Sequence, residues 1–246
     1  MDRLIYTAVS GMKDSMTRQG AIASNLANAQ TIGFRAETFH STPVRVASPN
    51  ALDGRTMVRT GIDGVDMSAG SFIETGRDLD IAIAGNGLLA VQAKDGTESY
   101  TRRGDLSVTA SGSLVNGDGR PVIGANGPIT VPPGGLVTIG PDGTVFTADG
   151  ETPEAPPVAV DRIKLVSWEG SSIAKGLDGL FRVRDGGVLP QDEEGRVHSG
   201  AVEQSNVDMT QILVEMVEAQ RLFEMRTKLV ATAKELDEGG ANLMRI

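Results

Sequence analysis

Residues 209–237 read MTQILVEMVEAQRLFEMRTKLVATAKELD, and this stretch decides the fold class of the chain. Asp208, followed three residues later by Gln211, forms a capping box, which predicts that a helix begins just before the apolar run. Apolar residues then recur at intervals of three or four, and Arg226 alone interrupts their main stripe. Gly239-Gly240 predict the end of the helix. The main stripe consists of Met209, Ile212, Met216, Ala219, Phe223, Val230 and Ala233.

A second apolar row accompanies the main stripe of this helix. The joint apolar face is wider than a two-stranded seam requires, so we expect the helix to meet more than one neighbour. At 1.5 Å per residue, residues 209–237 would form a helix about 43 Å long. The second row consists of Leu213, Leu222, Met225, Leu229 and Leu236.

A similar stripe opens the chain, over residues 4–28. Its period of 3.5 residues is typical of a helix in a coiled coil, although an ordinary amphipathic helix on a globular core has the same spacing. Gln19 is the one polar residue in the stripe. Gly11 and Gly20 should each cost about 1 kcal/mol relative to alanine, so the isolated helix is expected to be weak until a partner orders it. The apolar stripe consists of Ile5, Val9, Met12, Met16, Ala23 and Leu26.

The middle of the chain has the pattern of short β-strands separated by tight turns. Asp-Gly and Asn-Gly dipeptides recur from residue 53 to residue 186, and they supply the positive φ angles that hairpin turns require. Pro153, Pro156 and Pro157 predict a loop, because proline cannot donate into a central ladder. Short alternating or apolar runs lie between the turns, at residues 80–84, 88–92, 106–109, 120–123, 136–139 and 163–166.

These patterns predict a mixed α and β fold in four segments. Residues 1–35 contain an N-terminal helix, and residues 36–75 have weak periodicity and are interpreted as an extended connector. Residues 76–200 form a β-rich domain of sandwich or barrel-like type, and residues 201–246 contain the C-terminal helix. We expect the two helices to pair as a coiled-coil-like core whose stripes contact neighbouring subunits.

Composition excludes several classes of protein. The net charge of −9 argues against a nucleic-acid partner, since phosphate binding needs clustered Lys and Arg. The chain has no Cys, which excludes disulfides and thiolate metal sites. No run reaches the ~20 apolar residues needed to span a bilayer, so direct membrane insertion is not expected. Polar residues interrupt the first apolar stretch, so a cleaved secretory signal peptide is not expected either.

Sequence motifs for catalysis and cofactor binding are weak. Gly85-Asn86-Gly87 begins a G-x-G-x-x-A match, but a dinucleotide site would require a helix to open there. Asp95-Gly96 follows after only a few residues and favours a hairpin instead. We therefore predict no cofactor and no catalytic site at this motif.

The remaining polar clusters have ordinary structural interpretations. His40 and His198 have no metal-ligand spacing and are interpreted as solvated loop histidines. Residues 116–119 lack the spaced carboxylates of a calcium loop and are interpreted as a plain turn. Asp78 and Asp80 are placed on one face of a strand, as hydrated carboxylates at a rim. No metal site is predicted, and the chain is not expected to be an enzyme.

Residues 24–35 read SNLANAQTIGFR, and they resemble the N-terminal signature of the flagellar axial proteins of the rod and hook. Ser24 and Arg35 depart from the usual form conservatively. Physically, Asn and Gly residues in this stretch end the helix and turn the chain, and an aromatic side chain just after the turn offers an apolar anchor. The signature adds four residues to the predicted subunit interface, namely Asn25, Asn28, Gly33 and Phe34.

The resemblance extends over nearly the whole chain. Residues 75–87 are similar to the central motif of the family, although Leu88 and Leu89 stand where an aromatic pair is common. The opening residues and the modest length are most similar to proximal rod subunits, with distal rod subunits as the alternative. Further matching stretches are residues 100–104, 112–115, 121–124 and 205–208, together with Glu203, Gln220, Arg221 and Phe223.

The resemblance implies a structural subunit of the bacterial flagellar basal body. Such subunits assemble helically with like subunits and with other axial proteins into the periplasmic drive shaft between motor and hook. They are exported by the flagellar type III apparatus without a cleaved signal peptide. In the shaft, the paired helices would line an inner tube, with the β domain outside.

Two other classes of protein stay open on the residues alone. A secreted β-rich adhesin fragment also uses Asp-Gly-rich strands, although it would not need a helix at each end. A hydrolase with an unrecognised site is the second. The truncated core, residues 36–200, separates these possibilities, because a rod subunit should leave a stable and catalytically inert monomer.

Overall fold

The computed structural model describes residues 2–46, 55–132, 134–148 and 156–243. Two long helices, α1 (Asp2–Ala27) and α2 (Met209–Leu243), enclose a β-rich central part in the sequence. This arrangement confirms the predicted mixture of α and β structure. The strands are β1 (Glu37–Val46), β2 (Arg55–Val65), β3 (Phe72–Glu74), β4 (Ile81–Ile83), β5 (Gly87–Gln92), β6 (Glu98–Thr101), β7 (Leu106–Val108), β8 (Leu114–Asn116), β9 (Ile123–Gly124), β10 (Gly127–Pro128), β11 (Leu136–Ile139), β12 (Thr144–Ala148), β13 (Val158–Arg162), β14 (Leu165–Ser167), β15 (Ile173–Lys175), β16 (Phe181–Val183), β17 (Val197–Ser199) and β18 (Ala201–Glu203).

The start of α2 follows the prediction, and its end does not. The Asp208 carboxylate accepts hydrogen bonds from the backbone N–H groups of Thr210 and Gln211, at 2.8 and 3.1 Å, so it caps the helix. The helix continues through Gly239-Gly240 to Leu243, and the predicted end was therefore wrong. A glycine lowers helix stability by about 1 kcal/mol, but it keeps its backbone donor and does not break a helix as proline does.

The structure forms two compact units. The helical unit contains α1, β1, nearly all of β2, and α2. The β unit consists of Asn28–Ala36 and Val65–Asn206. The segment predicted as an extended connector, residues 36–75, contains β1 and β2, which pair in a two-stranded sheet, and β3. Residues 37–39 of β1 are only partly buried and residues 40–44 are exposed, so this described part of the strand has no buried face that would impose an alternating pattern on the sequence. The predicted division into four domains remains a prediction.

The helical unit is held together by contacts between α1 and α2. Ile22, Ile212 and Ala219 form its buried cluster. Thr227 contacts Met12, and the Gln19 side chain donates a hydrogen bond to the carbonyl of Ala219 at 3.3 Å. Residues later in α1 contact residues earlier in α2, so the two helices run antiparallel.

The β unit is built from several small antiparallel sheets. The largest has the order β14-β5-β6-β16-β15, and a three-stranded sheet has the order β11-β12-β13. Tyr100 and Phe181 are the buried aromatic residues of this unit, and aliphatic side chains make up the rest of its two apolar clusters. This composition agrees with the low aromatic content of the sequence, 4%.

Most of the predicted strands lie close to observed ones. The run 136–139 matches β11, and the run 88–92 lies within β5. The run 120–123 is displaced, since Pro121 and Val122 make isolated bridges and β9 begins at Ile123. Pro156 and Pro157 precede β13 as predicted, while Pro153 lies outside the described residues.

The Asp-Gly turns are only partly confirmed. Gly96 has a φ of 83° in the turn between β5 and β6, as the hairpin prediction requires. Asp63-Gly64 instead lies inside β2, so the prediction of a turn there was wrong. Residues 53–54 and 149–150 lie outside the described part of the chain. No helix among the described residues combines the length and the apolar character needed to cross a bilayer.

Candidate assembly surface

The apolar stripe predicted on α1 is divided, because Met12 and Gln19 contact α2 while other members are exposed. Val9 and Ala23 are exposed, and Met16 is 61% exposed, while Met12 and Leu26 are half-buried. The side chain of Ile5 lies outside the described part of the structure. Each residue turns an α-helix by about 100°, so a stripe displaced by one position faces a different neighbour.

The face of α1 that α2 covers contains one row of the predicted stripe, with Met12 and Gln19, and a second row that was not predicted. Ser15 and Ile22 are its most buried members, one position before Met16 and Ala23 of the predicted stripe. Ser15 carries a hydroxyl group, so a search for apolar residues does not detect its place in this face. Val9, Met16 and Ala23 of the predicted stripe therefore remain exposed as a second surface of the same helix.

The main stripe of α2 faces α1. Ile212 and Ala219 are buried between the helices, and Met216 packs against them. Phe223 and Val230 are half-buried, while Met209 is exposed. We predicted this stripe as an interface between subunits, and its contacts in the single chain are with α1. Additional contacts of these residues with another subunit remain a prediction.

The second apolar row of α2 is largely uncovered. Leu229 is 62% exposed and Leu236 is 65% exposed, with Met225 similar and Leu222 half-buried. These four residues follow a heptad spacing, and we call them the outer ridge. Leu213 is also exposed, but the helical repeat places it on a different side of α2. A row of exposed apolar side chains, unlike a single exposed leucine, marks an interaction surface.

Asn25 and Asn28 act within the chain. The buried side-chain amide of Asn25 donates to the carbonyl of Glu37 at 3.0 Å, and its oxygen accepts from the N–H of Glu37 at 2.8 Å. These bonds attach the first residue of β1 to α1. Asn28 forms the turn after α1, because its carbonyl accepts from the N–H of Thr31 at 3.0 Å and its side-chain oxygen from the Thr31 hydroxyl at 3.2 Å.

Gly33 and Phe34 are packed inside the β unit. Gly33 has a φ of 67°, and a Cβ atom there would lie 2.4 Å from the backbone of Arg102. No other residue fits this position without displacing that backbone. The Lys175 ammonium lies 3.4 Å from the centre of the Phe34 ring, a cation–π contact. A role for either residue in contacts between subunits remains a prediction.

Glu203 lies at the centre of a buried ion cluster, which we call the Glu203 cluster. One carboxylate oxygen lies 2.7 Å from Arg35 Nη2, and the other lies 2.6 Å from Arg102 Nη2. The backbone N–H of Gly70 also donates to Glu203, at 2.8 Å. Burial lowers the pKa of Arg102, and the charge of Glu203 opposes that shift. A carboxylate that is completely enclosed needs such partners to remain ionised.

The remaining donors of Arg102 join this cluster to the central motif. Its guanidinium donates to the backbone carbonyls of Ile83, Gly85 and Gly87, at 2.9, 2.8 and 2.6 Å. The residues that match the family signature therefore meet in space. The sequence contained these residues as separate motifs, but nothing in one sequence indicated that positions 168 residues apart form an ion pair.

The glycine motif and the two histidines lie in or at the start of strands. Gly87 begins β5, so no helix opens after the glycine motif, in agreement with the prediction. His40 and His198 are exposed as predicted, but they lie in β1 and β17 and not in loops. Among the described residues, no group of His, Cys, Asp and Glu is arranged to hold a metal ion.

The carboxylates of Asp78 and Asp80 do not lie as predicted, whereas residues 116–119 do. Asp80 is buried and accepts a hydrogen bond from the Thr75 hydroxyl at 2.6 Å, while Asp78 lies in a turn, so the prediction of two hydrated carboxylates on one strand was wrong. The prediction of a plain turn at residues 116–119 is confirmed, because the Asn116 side chain accepts from the backbone N–H groups of Asp118 and Arg120.

Known families and proteins match the chain along its length. Residues 5–35 match the family described as flagella basal body rod protein, residues 82–147 the flagellar hook protein FlgE/F/G D1 domain, and residues 198–243 the flagellar basal body rod FlgEFG protein C-terminal region. The flagellar basal-body rod protein FlgF of Salmonella typhimurium is 41% identical over 98% of both chains. The chain belongs to the flagellar basal-body rod protein family. FlgF of Escherichia coli strain K12 is 40% identical over 98% of both chains, and the rod protein FlgG of Bacillus subtilis is 31% identical over 100% of both.

Family membership decides the class of function. Like its relatives, this rod protein is a structural axial component of the flagellar basal body, and it is not an enzyme. The alternatives of an adhesin fragment and a hydrolase are therefore set aside. Each of the three matched regions of this rod protein also contributes one member of the Glu203 cluster, in the order Arg35, Arg102 and Glu203.

Proposed function

We propose that this rod protein is a subunit of the proximal part of the shaft and that its helices form the inner layer of a helical, coiled-coil-like assembly. The subunit would transmit torque from motor to hook through these helices. The similarity of the opening residues and of the chain length to proximal members supports the proximal position. A distal position is the alternative, since FlgG of Bacillus subtilis matches the whole chain at 31% identity.

The outer ridge of α2 is the observation that supports this proposal most strongly. From Leu222 to Leu236 it extends about 21 Å along the helix. Three of its four side chains are exposed to solvent in the single chain, whereas α1 covers the neighbouring stripe that contains Ile212 and Ala219. A shaft grows by head-to-tail contacts that repeat without closing, and each subunit then needs an apolar surface besides the one it covers itself.

The proposal includes a route and a location. We propose that the chain reaches the periplasmic rod through the flagellar type III export apparatus, and that other axial proteins and further copies of the chain are its partners. Export without a cleaved signal peptide is a hypothesis attached to this route. The small apolar cluster of the helical unit supports it, since a weakly held helix pair unfolds readily for passage through a narrow channel.

A pair of matched substitutions in α2 tests the proposal. Leu229→Asp places a carboxylate on the outer ridge, where burial by a neighbouring subunit would desolvate it. Ala231→Asp introduces the same group at another exposed position, about 160° around the helix from Leu229. Each variant is produced in cells that lack the native protein, and its presence in purified basal bodies and the swimming of the cells are measured.

The two variants should behave differently. We expect Leu229→Asp to be absent from basal bodies and the cells to be non-motile, whereas Ala231→Asp should assemble and support swimming. Circular dichroism of both purified variants verifies that the fold is retained. Normal incorporation of Leu229→Asp would contradict the proposal that the outer ridge is an interface.

A further inference from the structure

Arg226 is the one polar residue in the main stripe of α2, and it reaches across to α1. Its Nη1 atom lies 3.0 Å from a carboxylate oxygen of Asp14 and 2.6 Å from the hydroxyl oxygen of Ser15. The same nitrogen donates to the backbone carbonyl of Gly11. Arg226 is 24% exposed and Asp14 is 14% exposed, so both charges are largely removed from water.

The three residues of α1 form a socket that fits a guanidinium. Gly11 supplies its backbone carbonyl as an acceptor, and a Cβ atom there would be in ordinary van der Waals contact with Arg226, at 3.6 Å. Asp14 supplies the opposite charge, and Ser15 is buried and supplies a hydroxyl acceptor. We call Gly11, Asp14 and Ser15 the Arg226 socket.

We propose that Arg226 is a positioning residue that fixes the register of α1 against α2, and thereby the surface that the helix pair presents to its neighbours. This inference rests on the proposed function, in which the helix pair is the assembling element. Apolar stripes that repeat by heptads pair almost equally well after a slip of one heptad. A single polar residue in such a seam removes that ambiguity, at a cost in stability.

The sequence of α1 opposes a slip in either direction. A slip of one heptad in one direction places Arg18 at the first position of the socket and removes the carboxylate, so Arg226 would lie beside a like charge. A slip in the other direction fills the three positions with Leu4, Thr7 and Ala8, again with no acidic group. In both cases a largely buried guanidinium would lose its partner, which is a strongly destabilising change.

Engineered cysteines can report the register, because the native chain contains none. Thr227 and Met12 are in contact, so Met12→Cys with Thr227→Cys reports the native register. Gln19→Cys and Ile5→Cys, each combined with Thr227→Cys, report slips of one heptad in the two directions. The full-length chain is oxidised mildly at high dilution, and mass spectrometry measures the intrachain disulfide yield of each pair.

The ratio of disulfide yield in the native pair to that in a slipped pair should differ between the native chain and chains with substitutions at Arg226. With Arg226 present, we expect the native pair to exceed each slipped pair by more than about tenfold, since loss of a buried charge partner costs well above the free energy of a tenfold ratio. In Arg226→Leu, an apolar side chain completes the stripe, and the ratio should fall to within about threefold. The exchange Asp14→Arg with Arg226→Asp should restore the native preference, which a merely structural role for Arg226 would not do.

Several results would overturn the inference. One is a ratio of native-pair to slipped-pair yield in Arg226→Leu that equals the ratio in the native chain. Another is equal yields of the native and slipped pairs in the chain that retains Arg226. Intermolecular disulfides alone would exclude pairing within one chain. Since these yields are measured on the purified chain, they are independent of the basal-body test of Leu229→Asp, and a failure of either idea can be recognised separately.

Discussion

At the scale of single residues, Glu203 connects parts of the β unit that are distant in the sequence. Its carboxylate is fully buried between Arg35 and Arg102, and its backbone carbonyl accepts a hydrogen bond from the N–H of Gly33 at 2.7 Å. Residues that follow α1 in the sequence are thereby joined to residues that precede α2. Gly33, Arg35 and Arg102 of the matched motifs therefore have structural roles within the β unit.

Replacing Glu203 by glutamine should destabilise the β unit strongly. The variant leaves two buried guanidinium groups without their anion, and removal of one partner from a buried ion pair costs about 3–5 kcal/mol. Urea unfolding of the full chain, followed by the fluorescence of its single tryptophan, Trp168, measures the change. Glu194→Gln is the matched control at an exposed site, and it should change stability by less than about 0.5 kcal/mol. Equal unfolding midpoints for the two variants would contradict this role of Glu203.

The phenol of Tyr100 should lose its proton at a pH far above that of an ordinary tyrosine. Burial raises the pKa of its phenol to about 12, while the backbone N–H of Leu189, which donates to the phenol oxygen at 2.7 Å, opposes the shift. The folded state therefore holds this proton more tightly than the unfolded state, whose pKa is about 10. The resulting stabilisation is complete below pH of about 10 and is lost as the pH rises through about 12.

The chain has two tyrosines, so Tyr6→Phe leaves Tyr100 as the only phenol. Near-ultraviolet absorbance of this variant during an alkaline titration should show phenolate formation near pH 12 in the folded protein. The same variant in concentrated urea provides the control and should titrate near the ordinary value of about 10. Titration near the ordinary value with the fold intact would show that Tyr100 is not enclosed.

At the scale of elements, the sequence predicted which helices exist better than it predicted which way they face. The heptad spacing identified α1 and α2, and Asp208 identified the start of α2. One row of the buried face of α1 was displaced by one residue, because Ser15 lies in it and is not apolar, whereas the row with Met12 and Gln19 was predicted correctly. Gly239-Gly240 did not end α2, since a cost of about 1 kcal/mol per glycine does not exceed the tendency of a long helix to continue.

For the strands, the sequence predicted their positions better than the pairings between strands that are distant in the chain. Runs such as residues 136–139, which form β11, could be predicted because their residues alternate or are uniformly apolar. The pairing of β4 with β17 and of β3 with β18 joins strands more than a hundred residues apart, and no turn connects them. The Glu203 cluster depends on one of these pairings, so sequence reasoning found its members and not their association.

The N-terminal helix should be weak in isolation. Gly20 is exposed and an added Cβ atom there would have nothing within 4 Å, so Gly20→Ala should favour the helix by about 1 kcal/mol. Circular dichroism of peptides that span residues 2–27 measures the effect. We expect the native peptide to be mostly unfolded and the variant to be more helical. A native peptide that is fully helical by itself would show that α1 needs no partner to order it.

At the scale of the whole molecule, the limits of the β unit suggest a revised fragment. The fragment 36–200, proposed from the sequence as a stable core, lacks both Arg35 and Glu203. Residues 28–206 include every part of the β unit. We expect fragment 28–206 to unfold cooperatively in urea, with Trp168 fluorescence as the signal, and fragment 36–200 to be much less stable. Equal stability of the two fragments would show that the Glu203 cluster is dispensable for this unit.

The proposed role in the shaft requires that other subunits cover the outer ridge. A density map of intact basal bodies, at a resolution that shows side chains, tests this most directly. We expect this chain to lie in the proximal rod, with α1 and α2 in the inner layer and with Leu222, Met225, Leu229 and Leu236 in contact with neighbouring subunits. A map in which these four side chains face open solvent, or in which the chain lies outside the shaft, would contradict it.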